Sequence, residues 1–457
     1  MSESKLVQTS RFDEFKNLVR EYPWDFMGFL FLALLIPRIY SIANTYWVGH
    51  IDYSSLAIAE QYEFMGILIE IVNETIPFGV LALVSQNYKD RNSIVKQLVA
   101  GVALQLILST ALALVILLNM GAFVNLIGTT PELVAQTTEY LSLRAVALPF
   151  NSLGLLLVVG LKSMDRADLG LGVVIVNVAI NMVLDVLLVS PYSFSLQLGL
   201  QGVAIGYLLS NIVYALAATL FSVKTLRIKL AEFNIESLRT QTRPLFGVGG
   251  WTGIDSFVRN YFYFFVLQVL NFMGPNQFAG FQLFQRIMWT ALIPVIAISQ
   301  GTSIRVGNYL DTENAEYKIT RLLLTSCILA FLMIGGFGVL GIFSIDAMGY
   351  AFTANADVVH YFSVMFWWQI VPYILFAVAM NLRGLFFGTG KTYYILIVSL
   401  ILNLAIILPF FLMMSNAILP QAYDSVMLMF VLVDLVDIVI TYILVRDLLR
   451  RLFKSET

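Results

Sequence analysis

The chain has 457 residues, of which 59% are hydrophobic and only 12% are charged, and its mean hydropathy is +0.82. A soluble domain carries about 25% charged residues, so this composition excludes an ordinary soluble protein and predicts an integral membrane protein. The net charge of −2 provides no basic surface for nucleic acid, and the single cysteine, Cys327, excludes an internal disulfide.

The predicted elements are membrane-spanning helices. Residues 1–23 mix both signs of charge without the apolar core of a signal peptide, and we expect a short amphipathic helix on the cytoplasmic face. Charge-free stretches such as 97–131 exceed the about 20 residues needed to cross the hydrocarbon, and they are too uniformly apolar for outer-membrane strands. Twelve spans are predicted, near residues 24–49, 54–87, 94–119, 133–160, 168–191, 199–224, 244–272, 276–308, 316–343, 357–385, 392–415 and 425–447.

The distribution of lysine and arginine tests this count. Every even-numbered connection between spans carries Lys or Arg, whereas the six odd-numbered connections carry neither. Because positive residues accumulate on the cytoplasmic side, we predict a multi-pass protein of the cell membrane with both termini in the cytoplasm.

The sequence also contains an internal repeat. VSQNYKDRN (84–92) resembles VGNYLDTEN (306–314) at an offset of about 221, and shorter segments around Tyr140, Lys162 and Asn181 recur at almost the same offset. Six spans per repeat make the halves parallel, a pattern found in transporters. The predicted fold is all-α and polytopic, and its parts are a cytoplasmic N-terminal segment (1–23), an N-lobe (24–224), a cytoplasmic linker (225–243), a C-lobe (244–447) and a cytoplasmic tail (448–457).

Span 2 carries four glutamates: Glu60, Glu63, Glu70 and Glu74. On a helix they lie within an arc of about 80°. A charge facing lipid costs about 2.5–3.5 kcal/mol, so the stripe must face protein or water. Glu70 and Glu74 are the deeper pair, and their position suggests a hydrophilic seam between the halves.

Other polar residues of the N-terminal half fall at the depth of Glu60 and Glu63. They are Asn44, Arg144, Asn181 and Asp185, with Arg38 slightly deeper. Carboxylates clustered at low dielectric can exchange protons near neutral pH, and they can equally surround a sodium ion. We therefore predict coupling to Na⁺ or H⁺ within the set Asp185, Asn181, Asn44, Glu60 and Glu63. The alternative is a structural layer in which Arg144 neutralises Glu63.

The C-terminal half has its own charged set near the midplane: Asp255, Arg259, Arg286, Asp434 and Asp437. Asp255 and Arg259 are spaced i,i+4, the favourable order for a helical ion pair. Together with Arg38, Glu70 and Arg144, four of these residues (Asp255, Arg259, Arg286 and Asp434) are predicted to line a substrate cleft or to form a charge network. A static core network is the alternative.

Four segments carry a family resemblance: SIANTYWVGHID (41–52), LVSQNYKDRN (83–92), NMVLD (181–185) and RGLFFGTGKT (383–392). They resemble the multidrug and toxic compound extrusion transporters. The resemblance implies a twelve-helix antiporter of two lobes around a central cleft, which expels organic, often cationic, compounds in exchange for Na⁺ or H⁺. It also implies that Asn181 and Asp185 belong to the coupling site. If the coupling ion is Na⁺ rather than H⁺, the expected site for it is Asp185, Asn181 and Asn44.

One position departs from that family. Where the family usually has Asp near the end of span 1, this chain has Asn44. An amide can bind a cation but cannot carry a proton. Asp185 and the span 2 glutamates therefore become the stronger candidates for carrying a coupling proton.

Three other functions are weighed against the exporter. The wider superfamily also contains flippases of lipid-linked anionic substrates, and Arg38, Arg144, Arg259 and Arg286 keep that alternative open. No nucleophile–base pair or metal-ligand spacing indicates an enzyme, and no ring of like residues indicates a channel. We expect no cofactor beyond the coupling ion, a small organic substrate, contact with membrane lipid, no nucleic acid, and a monomer.

Overall fold

The protein is described from a computed structural model that covers residues 20, 22–49, 51, 55, 58, 59, 61–127, 129, 131–190, 192–229, 232 and 235–453. The expected N-terminal amphipathic helix (apart from 20, 22 and 23) and Glu60 lie outside these residues. The helices are α1 (Trp24–Gly49), α2 (Tyr62–Gln86), α3 (Arg91–Leu118), α4 (Met120–Leu126), α5 (Val134–Ser163), α6 (Ala167–Leu188), α7 (Gly199–Leu226), α8 (Ile235–Met273), α9 (Pro275–Ala291), α10 (Ile293–Tyr309), α11 (Ala315–Tyr350), α12 (Ala356–Leu382), α13 (Gly384–Gly388), α14 (Tyr393–Leu402), α15 (Leu408–Ser415) and α16 (Tyr423–Phe453).

The membrane-crossing segments agree with the predicted fold class. Within the described ranges, ten helical segments are long and apolar enough to cross a membrane, and the bent pair α9 and α10 forms an eleventh. The remaining predicted span is α8, whose 39 residues suffice in length but include Asp255 and Arg259 in the apolar stretch. The all-α polytopic fold with two six-helix lobes is thus confirmed.

Two predicted spans are interrupted rather than straight. Span 8 bends by 50° between α9 and α10, where Pro294 removes a backbone N–H and its ring crowds the preceding turn. Span 11 contains a π-helix at Asn403–Ile407 directly before α15, which has Pro409 in its first turn. By contrast, α1, α2 and α5 run continuously through Pro37, Pro77 and Pro149.

The predicted cytoplasmic linker (225–243) overlaps the start of a helix. Residues 235–243 already form the first turns of α8, because hydropathy marks where a helix enters the membrane and not where it begins. Arg91 anchors the linker to the N-lobe through Glu232 at 2.8 Å and the carbonyl oxygen of Leu226 at 2.7 Å. Pairing with this guanidinium lowers the pKa of Glu232 to about 2.

The packing of the helices shows how the lobes are related. α8 packs on α2, and α10 packs on α1. These are contacts of span 7 with span 2 and of span 8 with span 1. A half-turn that exchanges the lobes converts one contact into the other, as expected for parallel repeats.

The lobes meet along a surface that we call the seam. It is formed mainly by α1 and α2 on one side and α8 and α10 on the other, and α3 also packs on α8 and α13 on α2. The seam lies in the half of the molecule nearer the linker, and we call that side the linker face. One apolar core crosses the seam there, because Met27 and Leu30 cluster with Ala297 and Ile304. In the opposite half each lobe has a core of its own.

Two glycine contacts bring the seam backbones unusually close. A Cβ added to Gly249 would lie 1.7 Å from the Thr75 carbonyl oxygen, and one added to Gly79 would lie 2.7 Å from the Leu245 carbonyl oxygen. Small residues allow such approach between membrane helices. The α2–α8 contact therefore depends on glycine at both positions.

Candidate functional site

Asp185 is the centre of a buried polar group in the N-lobe. Its side chain is 0% exposed. Its Oδ2 accepts hydrogen bonds from the Tyr40 hydroxyl at 2.6 Å and from Asn44 Nδ2 at 3.2 Å, and Asn44 Nδ2 also lies 3.0 Å from the Tyr40 oxygen. Tyr40 and Asn44 are one turn apart on α1, so a single helix face presents both to α6.

The other carboxylate oxygen of Asp185 is unsatisfied. Asp185 Oδ1 is buried and accepts no hydrogen bond from the described residues, and the same holds for Asn177 Oδ1. Asn177, Asn181 and Asp185 follow one another at intervals of four on α6 and therefore share a face. A buried acceptor without a donor costs free energy, so this face is suited to receive a proton or a cation.

Gly206 on α7 leaves room beside the unsatisfied oxygen. A Cβ at this position would lie 3.7 Å from Asp185 Oδ1 and 3.5 Å from Leu184 Cβ. These are ordinary van der Waals distances, so alanine fits the fold while its methyl group fills the space next to the carboxylate. We expect Gly206→Ala to weaken binding of Na⁺ or H⁺ at Asp185 about tenfold or more, because the methyl group takes the space beside the unsatisfied oxygen.

The measurement is the concentration of Na⁺ or H⁺ that half-saturates binding to the purified protein. Gly172→Ala on α6 is the matched control because nothing lies within 4 Å of its added Cβ. The prediction fails if both alanine variants show the ion dependence of the unmodified protein.

Arg144 is held by tyrosines. Its guanidinium carbon lies 3.9 Å from the ring centre of Tyr207, 4.4 Å from that of Tyr62 and 5.2 Å from that of Tyr140. The Tyr140 hydroxyl accepts hydrogen bonds from Arg144 Nε at 3.0 Å and Nη2 at 2.7 Å. Cation–π contacts of this kind stabilise a desolvated cation. The structure thus does not pair Arg144 with Glu63, as the structural alternative required.

Glu63 and Arg38 are exposed. Neither makes an ion pair with another described residue, and neither joins the group around Asp185. Because a charge facing lipid is costly, we place both side chains at the water-filled side of their lobe.

Arg259 forms a second charged group, at the seam. Its Nη1 donates to Asp255 Oδ2 at 2.9 Å on the same helix, and its Nη2 donates to Glu70 Oε1 at 3.0 Å and to Glu74 Oε2 at 3.0 Å across the seam. Asn260 Nδ2 donates to the second oxygen of Glu70 at 3.2 Å. The seam group, Glu70, Glu74, Asp255, Arg259 and Asn260, thus links α2 to α8.

The other C-lobe charges lie elsewhere. Arg286 is exposed on α9. Asp437 on α16 is bound by Arg383 and accepts a hydrogen bond from Thr441 at 3.0 Å, while Asp434, one turn earlier, makes no hydrogen bond with the described residues. The contacts found in the structure therefore do not join Asp255 and Arg259 to Asp434 in one network.

An apolar groove lies away from both charged groups. It has a volume of about 440 Å³ between α12 and α16, and Trp367, Trp368 and Leu435 contribute to its lining. No charged side chain lines it, so we do not place the ion site there.

Several residues of these groups were missed by sequence reasoning. Tyr40 and Asn177 each lie one turn from a predicted site residue, and this i,i+4 spacing was a signal that could have found them. Tyr140 lies one turn before Arg144 on α5 and carries the same i,i+4 signal. Tyr62 and Tyr207 come from α2 and α7, and a single sequence offers no comparable signal for them.

The fold and these groups define a polytopic membrane transporter of two parallel lobes. The profile of the MatE family matches residues 30–187 and 253–413, one stretch in each lobe. The chain therefore belongs to the MatE family, the multidrug and toxic compound extrusion transporters, and it is a transporter rather than an enzyme.

Characterised relatives agree with this assignment. The chain is 23% identical over 407 residues to the multidrug export protein MepA of Staphylococcus aureus strain MSSA476, which covers 84% of this chain and 85% of that protein. MepA of strain MRSA252 is 24% identical over 344 residues, covering 69% of this chain and 72% of its own length.

Solved structures show the same fold. A transporter of the MOP superfamily from Pyrococcus furiosus superposes with a TM-score of 0.82 at 18% identity, covering 99% of each chain. An outward-facing MATE family transporter superposes with a TM-score of 0.83 at 19% identity, covering 99% of this chain and 100% of that chain. A mutant of the Vibrio cholerae MATE transporter VcmN gives 0.82 at 15% identity, with 95% and 98% covered. At these sequence identities the structural similarity shows only that the fold is shared.

Proposed function

We propose that this protein is a secondary active exporter that exchanges Na⁺ or H⁺ for organic, cationic amphipathic compounds. The observation that carries the proposal is the unsatisfied Oδ1 of Asp185, buried beside Asn181 and Asn177. A buried carboxylate oxygen without a donor is ready to take a proton or to bind a cation. Binding and release at this position would be linked to the conformation of the N-lobe.

Both ions fit the chemistry of this group. A proton would neutralise Asp185, the one carboxylate that receives hydrogen bonds from Tyr40 and Asn44. Sodium would be held by that carboxylate and by neutral amide and hydroxyl oxygens, since the described residues contain no cluster of three or more His, Cys, Asp or Glu suited to a metal ion. Asn44 takes part as a donor or ligand and cannot accept the proton itself.

The position of the seam supports alternating access. The lobes are joined in the half nearer the linker face, whereas the cores of the opposite half are separate. With the termini in the cytoplasm, as the positive-inside pattern predicts, this is an outward-open state. Export then requires a second state in which the seam parts and the cleft opens to the cytoplasm.

The partners that surround the arginines in the structure favour a cationic substrate over a lipid-linked anion. Arg144 is enclosed by tyrosines, and Arg259 is engaged by three carboxylates. Arg38 and Arg286 are the exposed members of the four arginines considered for a flippase, which could still use them. The curated relatives are multidrug export proteins by name, which agrees with an organic substrate.

The test is transport by purified protein in liposomes loaded with ethidium, a planar organic cation, under an imposed Na⁺ or pH gradient. We expect export driven by one of the two gradients and collapsed by the matching ionophore. A parallel set of liposomes carries a fluorescent lipid-linked pyrophosphate. Gradient-independent movement of that lipid, with no ethidium export, would replace the exporter with the flippase.

A further inference from the structure

We propose that Glu70 and Glu74 form a proton-operated latch: protonation of this pair releases α2 from Arg259 and allows the lobes to part at the seam. The inference rests on the exporter proposed above, to which it adds the proton as an ion that acts on the seam. It concerns the seam group and not the group around Asp185.

The geometry of the seam group carries the proposal. Arg259 is the single cation for three carboxylates, two on α2 and one on α8. Its Nη2 alone binds both glutamates across the seam, while Nη1 holds Asp255. The contact between the lobes at this depth therefore includes charge-assisted hydrogen bonds, which depend on ionised glutamates. Beside them lies one neutral hydrogen bond across the seam, from Thr252 Oγ1 to the carbonyl oxygen of Glu74 at 2.7 Å.

Among the described residues, the ion pairs of this group join four side chains. On α2 these are Glu70 and Glu74, and on α8 they are Asp255 and Arg259. The neighbouring helices α3 and α5 contribute neutral groups, since Gln105 and Ser152 both donate to Asn73. The group thus sets three carboxylates against one guanidinium.

The three carboxylate partners of Arg259 behave differently when the lobes separate, according to the helix that carries them. Asp255 moves with Arg259 because both are on α8, so their i,i+4 pair survives. Glu70 and Glu74 are on α2 and lose the guanidinium. Proton binding and separation are therefore linked: a proton on either glutamate weakens the closed seam, and by reciprocity the parted seam binds the proton more tightly.

The proton has a route to the group. The side chains of Arg259 and Glu70 are 46% and 42% exposed, whereas Asp255 is 5% exposed. Since a charge facing lipid is costly, this exposed surface faces the cleft. In the step itself, a proton from cleft water adds to a carboxylate oxygen of Glu70 or Glu74, and no other covalent bond changes. Protons arriving from outside would then return an emptied carrier to the state that faces the cytoplasm.

The test measures the width of the seam directly and needs no substrate. Spin labels on Lys96→Cys and Glu316→Cys, two exposed positions at the linker face of opposite lobes, report the distance between the lobes in a Cys327→Ser background. We expect the parted population to grow as the pH falls from about 8 to about 5, a range in which shielded carboxylates titrate. In Glu70→Gln/Glu74→Gln the ratio of parted to closed molecules at pH ~8 should rise at least about tenfold, and the pH response should disappear.

Two further variants make the result decisive. Glu63→Gln removes a charge from the same helix without touching the seam group and should keep the pH response. Arg259→Lys keeps the positive charge but lacks the forked geometry that holds several carboxylates. The lobes of this variant should therefore part at a higher pH than those of the unmodified protein. This variant provides the test if the double variant does not fold. A double variant or Arg259→Lys protein with an unchanged response overturns the latch.

The latch and the exporter can fail separately. Asp185→Asn is expected to lose ion-driven export while the seam still responds to pH. If the seam responds to pH but the protein exports nothing, the latch is supported and the exporter is excluded. If the protein exports but the seam does not respond to pH, the exporter is supported and the latch is excluded.

Discussion

Asp185→Asn is expected to abolish ion-driven export while leaving the protein folded. The amide keeps the size of the carboxylate and still accepts the hydrogen bond from Tyr40, but it can neither hold a proton nor neutralise a sodium ion. Interactions with a charged group contribute about 1.5–3 kcal/mol, so ion affinity should fall about 10- to 150-fold and ethidium export in liposomes should fall to the leak rate. The melting temperature should not decrease, because a neutral buried group costs less to desolvate.

The control for this variant lies on the same helix. Asp168→Asn removes a carboxylate from the first turn of α6, where Arg166 binds it at 3.1 Å and both side chains are exposed. Exposed pairs contribute little, so export by this protein should match the unmodified rate. Export by Asp185→Asn at more than about a tenth of that rate, a loss of only ~1.4 kcal/mol, would exclude Asp185 as the coupling group.

The fold was predictable because the bilayer imposes simple rules on sequence. Uninterrupted apolar stretches mark the spans, and the alternation of basic connections supports their number. The extent of α8 was not predictable in the same way, since residues 235–243 are polar and helix ends outside the hydrocarbon follow local propensity. The break between α9 and α10 had a visible cause in Pro294, but its 50° angle is set by packing.

The candidate site was only partly predictable. Asp185, Asn181 and Asn44 could be singled out because a polar group within a span costs free energy and therefore indicates a functional position. Which cation meets which anion depends on the rotation of each helix. Arg144 and Glu63 lie at similar depth yet are not paired, whereas Arg259 reaches Glu70 and Glu74 from the other lobe. Depth follows from sequence position, but partners follow from tertiary packing.

Gly249→Val is expected to prevent the seam between the lobes from closing. The Cβ of any larger residue would lie 1.7 Å from the Thr75 carbonyl oxygen and 3.1 Å from the Gly79 nitrogen, and the first distance is well inside van der Waals contact. Backbone atoms cannot rotate away, so α2 and α8 must separate. Overpacking of this kind costs about 1–3 kcal/mol, which shifts the ratio of parted to closed seams about 5- to 150-fold. Export should decline with it, because the outward-open state needs this contact.

The same helix supplies the comparison for this variant. Gly247 has nothing within 4 Å of an added Cβ, so Gly247→Val makes the same substitution in open space and should retain the closed distance between labels at positions 96 and 316. If Gly249→Val also keeps that distance and exports at the unmodified rate, the close backbone contact is dispensable, and polar contacts such as those of Arg259 hold the lobes together. If the distance grows while export persists, parting of the seam is not what limits the cycle, and the step that moves substrate must be sought within the N-lobe around Asp185.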